Sequence, residues 1–524
     1  MSHVSLEWIY PFIYIIFGAA AVYLVYIIAK YATGLKASPR EIWFVSISQI
    51  TEFTAYSVML MTLTLWLSSD IGLSDVAAGN YMGTWNFSYT ILIIGVGSLV
   101  DAVGVKKVLV IGTVLAIISR FFLFVSTNLW VATILGFVPQ AVSIAFLSPV
   151  ISVALKRYTK SDTSALGFAM FYTLMNVGFA LGGLIFDWIR QIFGEYGSVM
   201  LPLLGEISTY RFILFTSFLI SFPGMLFILI MRDNIDLKDD GVLEIGAKKE
   251  KKEGNIAVSI FKSIKGSFAD AAKIFTNVAK QPAFWKFMAL LAILLGVNYV
   301  FYHFHYTFPK YGIRVLGEGA KIGNVYGVLN PVIIVFFVPL IAWLTRKWSS
   351  YKMITIGSII SAASVFFVVL PDKFYAPIAD SIAGRLIWQE WLEVPDGTDI
   401  STIAVYLALC LFVVFFTIGE AIWSPRLMEY TAKIAPKGQE GSYLSLSLLP
   451  KFISQPLVGF MSGKLLAVYA PAEEIVNEAG VKSLQVGDIS QHHMIWIWVG
   501  AVAIISPLGM IIFGKFLRGH EASS

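Results

Sequence analysis

The sequence predicts an all-α polytopic membrane protein: two six-helix bundles with one extra transmembrane helix at the amino terminus, thirteen spans in all. Three observations lead there. The 524-residue chain is 57% apolar and only 14% charged, with a mean hydropathy of +0.76, well beyond what a water-soluble domain needs. Its apolar residues gather into runs of about twenty, the length that crosses a bilayer as a helix. The basic residues of the short loops fall on one side when these runs are counted alternately.

The spans fall near residues 8–31, 41–68, 79–100, 107–127, 130–155, 164–189, 210–231, 283–308, 322–345, 352–371, 401–427, 441–469 and 492–516. Backbone polar groups in lipid must be satisfied within their own segment, so each crosses as a helix. The first run contains "FGAAAVYLVYIIA" and lacks a basic leader; it is too long for a signal core and reads as a retained helix. Lys30, Lys36 and Arg40, then Lys106 and Lys107, Lys156, Arg157 and Lys160, Arg346, Lys347 and Lys352, and Arg426, Lys433 and Lys437 share one side. The positive-inside rule makes that side cytoplasmic, with the amino terminus outside and the carboxyl terminus inside. In a bacterium this is a protein of the inner membrane.

Between Arg232 and Gln281 the chain turns polar, with "GAKKEKKEG" followed by the amphipathic "AVSIFKSIKGSFADAAKIFTNVAK". It reads as a cytoplasmic linker whose second part lies on the inner membrane face, lysines toward the headgroups. The predicted division is an extra helix in 1–36, a bundle in 37–232, the linker in 233–280 and a second bundle in 281–524. Two six-helix halves suggest a carrier that exposes a central cavity to each side in turn. The single cysteine, Cys410, excludes an intrachain disulfide and a CxxC zinc site. A net charge of +5, spread through short loops, points to topology rather than a nucleic-acid partner. No Walker loop, nucleophile elbow or zincin pattern appears, so the expectation is no enzyme, no metal and no cofactor, with energy drawn from an ion or solute gradient.

The loop after the third predicted span reads "GSLVDAVGVKK", with Gly97, Asp101, Gly104, Lys106 and Lys107. It resembles the cytoplasmic gating signature of the major facilitator superfamily. "FYTLMNVGF" (171–179), "LNPVIIVFFVPL" (329–340) and "GEAIWSPRLMEYTAKIAP" (419–436) narrow the resemblance to the proton-coupled oligopeptide transporter family. The likeness runs through both halves over roughly residues 41–516. It implies a major facilitator fold and symport of small peptides with protons, the proton being the coupling ion. Where that family carries ExxERFxYY, aligning on "LWL" gives Gln49, Glu52, Phe53, Tyr56 and Ser57. One carboxylate and one tyrosine remain; the arginine is replaced, and Ser148 stands for the helix-four lysine. The pair of extra helices that many relatives carry between the halves has no counterpart. Another small solute, such as an amino-acid derivative or organic anion, stays open as substrate, as do export and a non-transporting membrane partner or sensor.

Glu52 lies about twelve residues into its helix, roughly 18 Å along the axis at 1.5 Å per residue, near mid-membrane. A carboxylate there is protonated, paired or open to an aqueous cavity. It is the first candidate for proton coupling, with Glu420 and His303 as the others. Glu420 and Lys451, in consecutive spans, are candidates for a buried pair, either static or opening and closing with transport, unless Lys451 faces the cavity alone and receives a substrate carboxylate. His303 and His305, at i and i+2, point in different directions and make a poor metal grip; one of them faces the cavity and the other packs. Arg120, about two turns from the external edge, either snorkels outward or takes a functional pairing partner. Tyr56, Trp85, Asn86, Tyr89, Tyr172 and Asn176 are candidates for an amphipathic cavity lining, and Gly97, Asp101, Gly104, Lys106, Pro149 and Pro425 for gating. The expected partners are a small peptide or related solute and the lipid bilayer, with a functional monomer.

Overall fold

The computed structural model describes residues 22–23, 25–96, 103–233, 235–245, 266, 276, 279–345, 347–434, 446–478 and 482–517. Its long helices are α1 (Glu41–Ser69), α2 (Asp75–Val96), α3 (Val105–Val125), α4 (Leu129–Tyr158), α5 (Ser164–Phe193), α6 (Thr209–Ile230), α7 (Pro282–Tyr306), α8 (Asn324–Leu344), α9 (Ser350–Val369), α10 (Ile400–Ile434), α11 (Leu449–Tyr469) and α12 (Met494–Ile512). Among the described residues ten helices are long and apolar enough to cross a membrane. The protein is an all-α polytopic membrane fold. The two long helices outside those ten, α2 and α11, are more polar and pack on each other.

Local chemistry sets the helix starts. Asn128 accepts from the amides of Trp130 and Val131 at α4, Ser208 from Arg211 at α6, and Ser349 from Lys352 at α9, each satisfying donors that a first turn leaves free. Among the described residues three stretches are π-helical, Ala132–Phe137 in α4, Asn324–Val328 at the head of α8 and Leu386–Trp391 ahead of α10, local departures of the kind that recur at functional places.

Within α1–α6, α1 packs on α5 and α6, α3 on α4 and α6, and α2 on α4; within α7–α12, α9 packs on α10 and α12, and α7 on α11 and α12. The two sets meet along α2 with α11 and α5 with α8. Both contacts depend on glycine. A Cβ on Gly463 of α11 would sit 2.0 Å from the Asp75 carbonyl oxygen of α2, and one on Gly183 of α5 would sit 2.7 Å from the Gly323 carbonyl oxygen. Backbone, unlike a flexible side chain, has no rotamer by which to yield. Gly463→Val is therefore expected to cost about 1–3 kcal/mol and to lower the melting temperature of the detergent-solubilised protein; an unchanged melting curve would contradict this close approach.

Ahead of α1, helical residues 22–23 and 25–34 lean on both sets. The Tyr31 hydroxyl lies 2.9 Å from Thr173 Oγ1 of α5, and the Tyr23 ring stands 5.3 Å from that of Phe336 of α8. Most of the first predicted span lies outside the described residues, as do the lysine-rich part of the linker and nearly all of its amphipathic stretch. The connections hold structure that the spans alone did not foretell. Three antiparallel hairpins pair Ser198–Leu201 with Gly205–Ser208, Ile235–Leu237 with Leu243–Ile245, and Ala472–Val476 with Lys482–Val486. Short helices fill Asp372–Asp380 and Ile382–Arg385.

Candidate functional site

Glu52 of α1 does not stand alone. Arg120 of α3 meets it with two prongs, Nη1 to Oε2 at 2.9 Å and Nη2 to Oε1 at 2.5 Å, and gives a further hydrogen bond to Ser221 Oγ of α6 at 2.6 Å. The arginine side chain is fully buried and that of Glu52 is 14% exposed. Of the two readings of Arg120, snorkelling is thus set aside and pairing stands. A carboxylate within reach offers a buried guanidinium a bidentate partner, which outweighs what the membrane surface offers.

Beside this pair, tyrosines from both sets converge. Tyr89 of α2 donates to Gln455 Oε1 of α11 at 2.5 Å, and Tyr306 of α7 donates to Asn86 Oδ1 of α2 at 2.9 Å. Tyr56 lies within electrostatic reach of Glu52, Tyr302, Tyr306 and Tyr326. Glu420 of α10 accepts from Asn330 Nδ2 at 3.3 Å, and the same amide donates to Thr417 Oγ1 at 2.8 Å. Glu420 is within electrostatic reach of Tyr172, Tyr302, Tyr326 and Lys451. Lys451 is exposed, and among the described residues it makes no hydrogen bond to Glu420. One carboxylate from each set and a belt of phenols between them form the candidate site.

The other expected residues divide. Asn176 donates to the Tyr172 carbonyl at 2.8 Å, which fixes it on its own helix. Trp85 Nε1 donates to the Phe137 carbonyl at 2.9 Å, and its ring packs edge-on to Tyr89 and Phe137. His305 bonds the Tyr326 hydroxyl and so adjoins the site. His303 is sealed away, its Nδ1 2.6 Å from Thr307 Oγ1 and its ring against Tyr299. Of the gating residues, Gly97 and Asp101 lie outside the described residues. Gly104 enters α3 at φ +94°, and Lys106 Nζ donates to the Met231 carbonyl at 2.5 Å, tying α3 to the end of α6. Pro149 lies within α4, and Pro425 is exposed on α10. Among the described residues no group of three His, Cys, Asp or Glu side chains is placed to hold a metal.

At the end of the molecule where α2 begins, the two sets are pinned together. Asp75 receives Lys310 Nζ at 2.8 Å and both terminal nitrogens of Arg314 at 2.8 Å; Lys310 also donates to Ser68 Oγ at 2.5 Å and Arg314 to the Ala470 carbonyl at 2.7 Å. A cavity of about 550 Å³ opens here, lined by Asp75, Lys310, Arg314, Tyr196 and Glu474 among others. Nearby, Arg190 of α5 bonds Asp187 and Glu195, and both carboxylates reach across to the other set. Burial raises the Glu195 carboxyl, but Arg190 and the Tyr210 hydroxyl outweigh it and hold the group below its ordinary range. Sequence reading assigned none of these residues to a site. For Asp187 and Arg190 a signal existed: two charges at i and i+3 within an apolar helix.

A profile of the Major Facilitator Superfamily matches residues 45–456. No curated protein sequence matches the chain. Among solved structures, a POT family transporter in complex with 5-aminolevulinic acid superposes with a TM-score of 0.62 at 16% identity, covering 92% of this chain and 99% of the other. A POT family transporter in complex with a thioalcohol-conjugated peptide gives 0.62 at 15%, covering 92% and 99%. The peptide transporter POT in complex with sulfate gives 0.61 at 16%, covering 91% and 95%. At these identities the likeness is one of fold.

Proposed function

The chain belongs to the Major Facilitator Superfamily, as a secondary-active membrane transporter and not an enzyme, and on that premise we propose that it carries small peptides together with protons by alternating access. The moving parts are two six-helix bundles, α1–α6 and α7–α12, divided at 37–232 and 281–524, with the leading helix in 1–36 and a cytoplasmic linker in 233–280. The end bearing Lys106 and Lys156 faces the cytoplasm and the Asp75 end faces outward, so the present arrangement is closed to the outside.

The observation that carries this reading is the placement of Glu52 and Glu420 in opposite sets with phenols between them. In the outward-open state a proton neutralises one of these carboxylates and the solute enters. Binding energy shared by proton and solute in the same state is what couples them. Tyr56, Tyr89 and Tyr172 offer hydroxyls to peptide amides while their rings pack varied side chains, Asn86 and Asn176 line the same passage, with Asn86 also accepting from Tyr306, and Lys451 receives a carboxylate. Rocking then exposes the cavity to the cytoplasm, with the loop of Gly97, Asp101, Gly104 and Lys106 guarding that gate and Pro149 and Pro425 letting their helices bend.

One observation favours a second solute class. Arg120 is spent on Glu52, which leaves it unavailable to a peptide carboxyl group, and one solved relative holds 5-aminolevulinic acid. Uptake of labelled di- and tripeptides and of 5-aminolevulinic acid into proteoliposomes under an inward proton gradient separates the two. Peptide accumulation that collapses on dissipating the gradient, and falls at least tenfold in Glu52→Gln, is the expected result. Accumulation of 5-aminolevulinic acid alone would move the substrate to the second class, and gradient-independent flux would remove the proton from the cycle.

A further inference from the structure

We infer that Asp187 is a detachable cap: a carboxylate of one helical set that satisfies the free amides at the head of α8 in the other, and so positions the outer gate. The first amides of any helix have no intrahelical partner, and they are normally capped by a residue of their own chain segment. Here the cap comes from α5. Asp187 Oδ1 accepts from the Gly323 amide at 2.9 Å, and Oδ2 accepts from the Asn324 amide at 2.6 Å and from Asn324 Nδ2 at 2.9 Å. Its negative charge sits where the helix dipole is positive.

Two neighbours brace the cap. Arg190 Nη1 donates to Asp187 Oδ1 and to the Ala320 carbonyl, each at 3.0 Å, so the guanidinium orients the carboxylate and touches the other set as well. Glu195 accepts from the Arg190 guanidinium, from the Tyr210 hydroxyl at 2.6 Å and from the Gly319 amide at 3.1 Å. Asp187, Arg190 and Glu195 are each no more than 3% exposed. The backbones are in contact behind them, since a Cβ on Gly323 would lie 2.5 Å from the Gly183 carbonyl oxygen. The bonds to Gly319, Ala320, Gly323 and Asn324 cross between the sets at the Asp75 end. Separation there breaks them together, leaving the α8 amides without their partner and Asp187 with Arg190 alone. The arrangement therefore behaves as a latch with few intermediate positions, unlike an apolar contact that slides.

The inference rests on the alternating-access reading, and the test tells the two apart. In a Cys410→Ser background, nitroxide labels at Met200→Cys and Val476→Cys, both exposed and on opposite sets, report opening of this end by pulsed EPR in lipid nanodiscs without any substrate. Asp187→Asn is expected to raise the ratio of open to closed populations about tenfold, the scale of losing a charge-assisted hydrogen bond. Asn324→Ala, which removes only the side-chain amide, raises it severalfold and decides the matter should the first variant not fold. Distance distributions that coincide with the parent in the folded variants, while Asp75→Asn opens the same end, overturn the latch and leave alternating access standing. An end that opens in none of them overturns both.

Discussion

Arg120→Ala is expected to destabilise the protein by about 3–5 kcal/mol, the cost of leaving one member of a buried ion pair without its partner. The arginine gives Glu52 two of its hydrogen bonds and ties α3 to α6 through Ser221. Glu52→Gln keeps an acceptor for one of those donors and is expected to cost less, while Glu52→Ala strands the guanidinium and costs as much as losing it. The double variant Arg120→Met/Glu52→Gln removes both charges and is expected to recover most of the melting temperature, since a well-packed neutral pair often matches a buried ionic one. It is not expected to recover proton-driven uptake. Melting curves of both single variants and the double form a cycle. Additivity within about 0.5 kcal/mol would show that the two residues act independently, and the ion pair would lose its place in the mechanism.

That pair also shows where sequence reasoning runs out. Spanning length and apolar composition are properties of one segment at a time, so the helices were readable: the predicted 107–127 and 210–231 correspond to Val105–Val125 and Thr209–Ile230. Even α2 and α11, the more polar two, were found from their length. Glu52 was conspicuous because a lone carboxylate at mid-membrane demands a reason. Its partner was not, because a single arginine near a helix end fits snorkelling and pairing equally well until the distance between two helices is known.

The phenol belt was hidden by abundance. With 23 tyrosines and 40 phenylalanines in the chain, nothing marks Tyr302 and Tyr326 as facing Glu420 rather than lipid. Conversely, the "YHFHY" motif stood out, yet it is His305 and not His303 that adjoins the belt. The hairpins after α5, α6 and α11 went unread because short polar strands carry little periodicity against the strong signal of the helices around them.

Asp75→Ala is expected to produce the largest change in conformation, because one carboxylate holds two cations. Lys310 and Arg314 lie on the same short helix, Phe308–Leu316, and are both nearly buried. Each draws its ionic partner from Asp75 across the seam between the sets. Without it, two like charges face each other with little water to screen them, and the least costly relief is for the sets to part and hydrate them. Modification of Ser68→Cys by a membrane-impermeant thiol reagent, added from the Asp75 side of Cys410→Ser protein, should then quicken about a hundredfold, the scale of about 3 kcal/mol. Asp75→Glu, which keeps the charge, should stay within a few-fold of the parent. Adding Lys310→Met to Asp75→Ala should slow the reaction again by removing one of the two stranded cations. Equal rates in the parent and Asp75→Ala would mean that apolar packing alone closes this end, and that the ion pairs follow the closure instead of holding it.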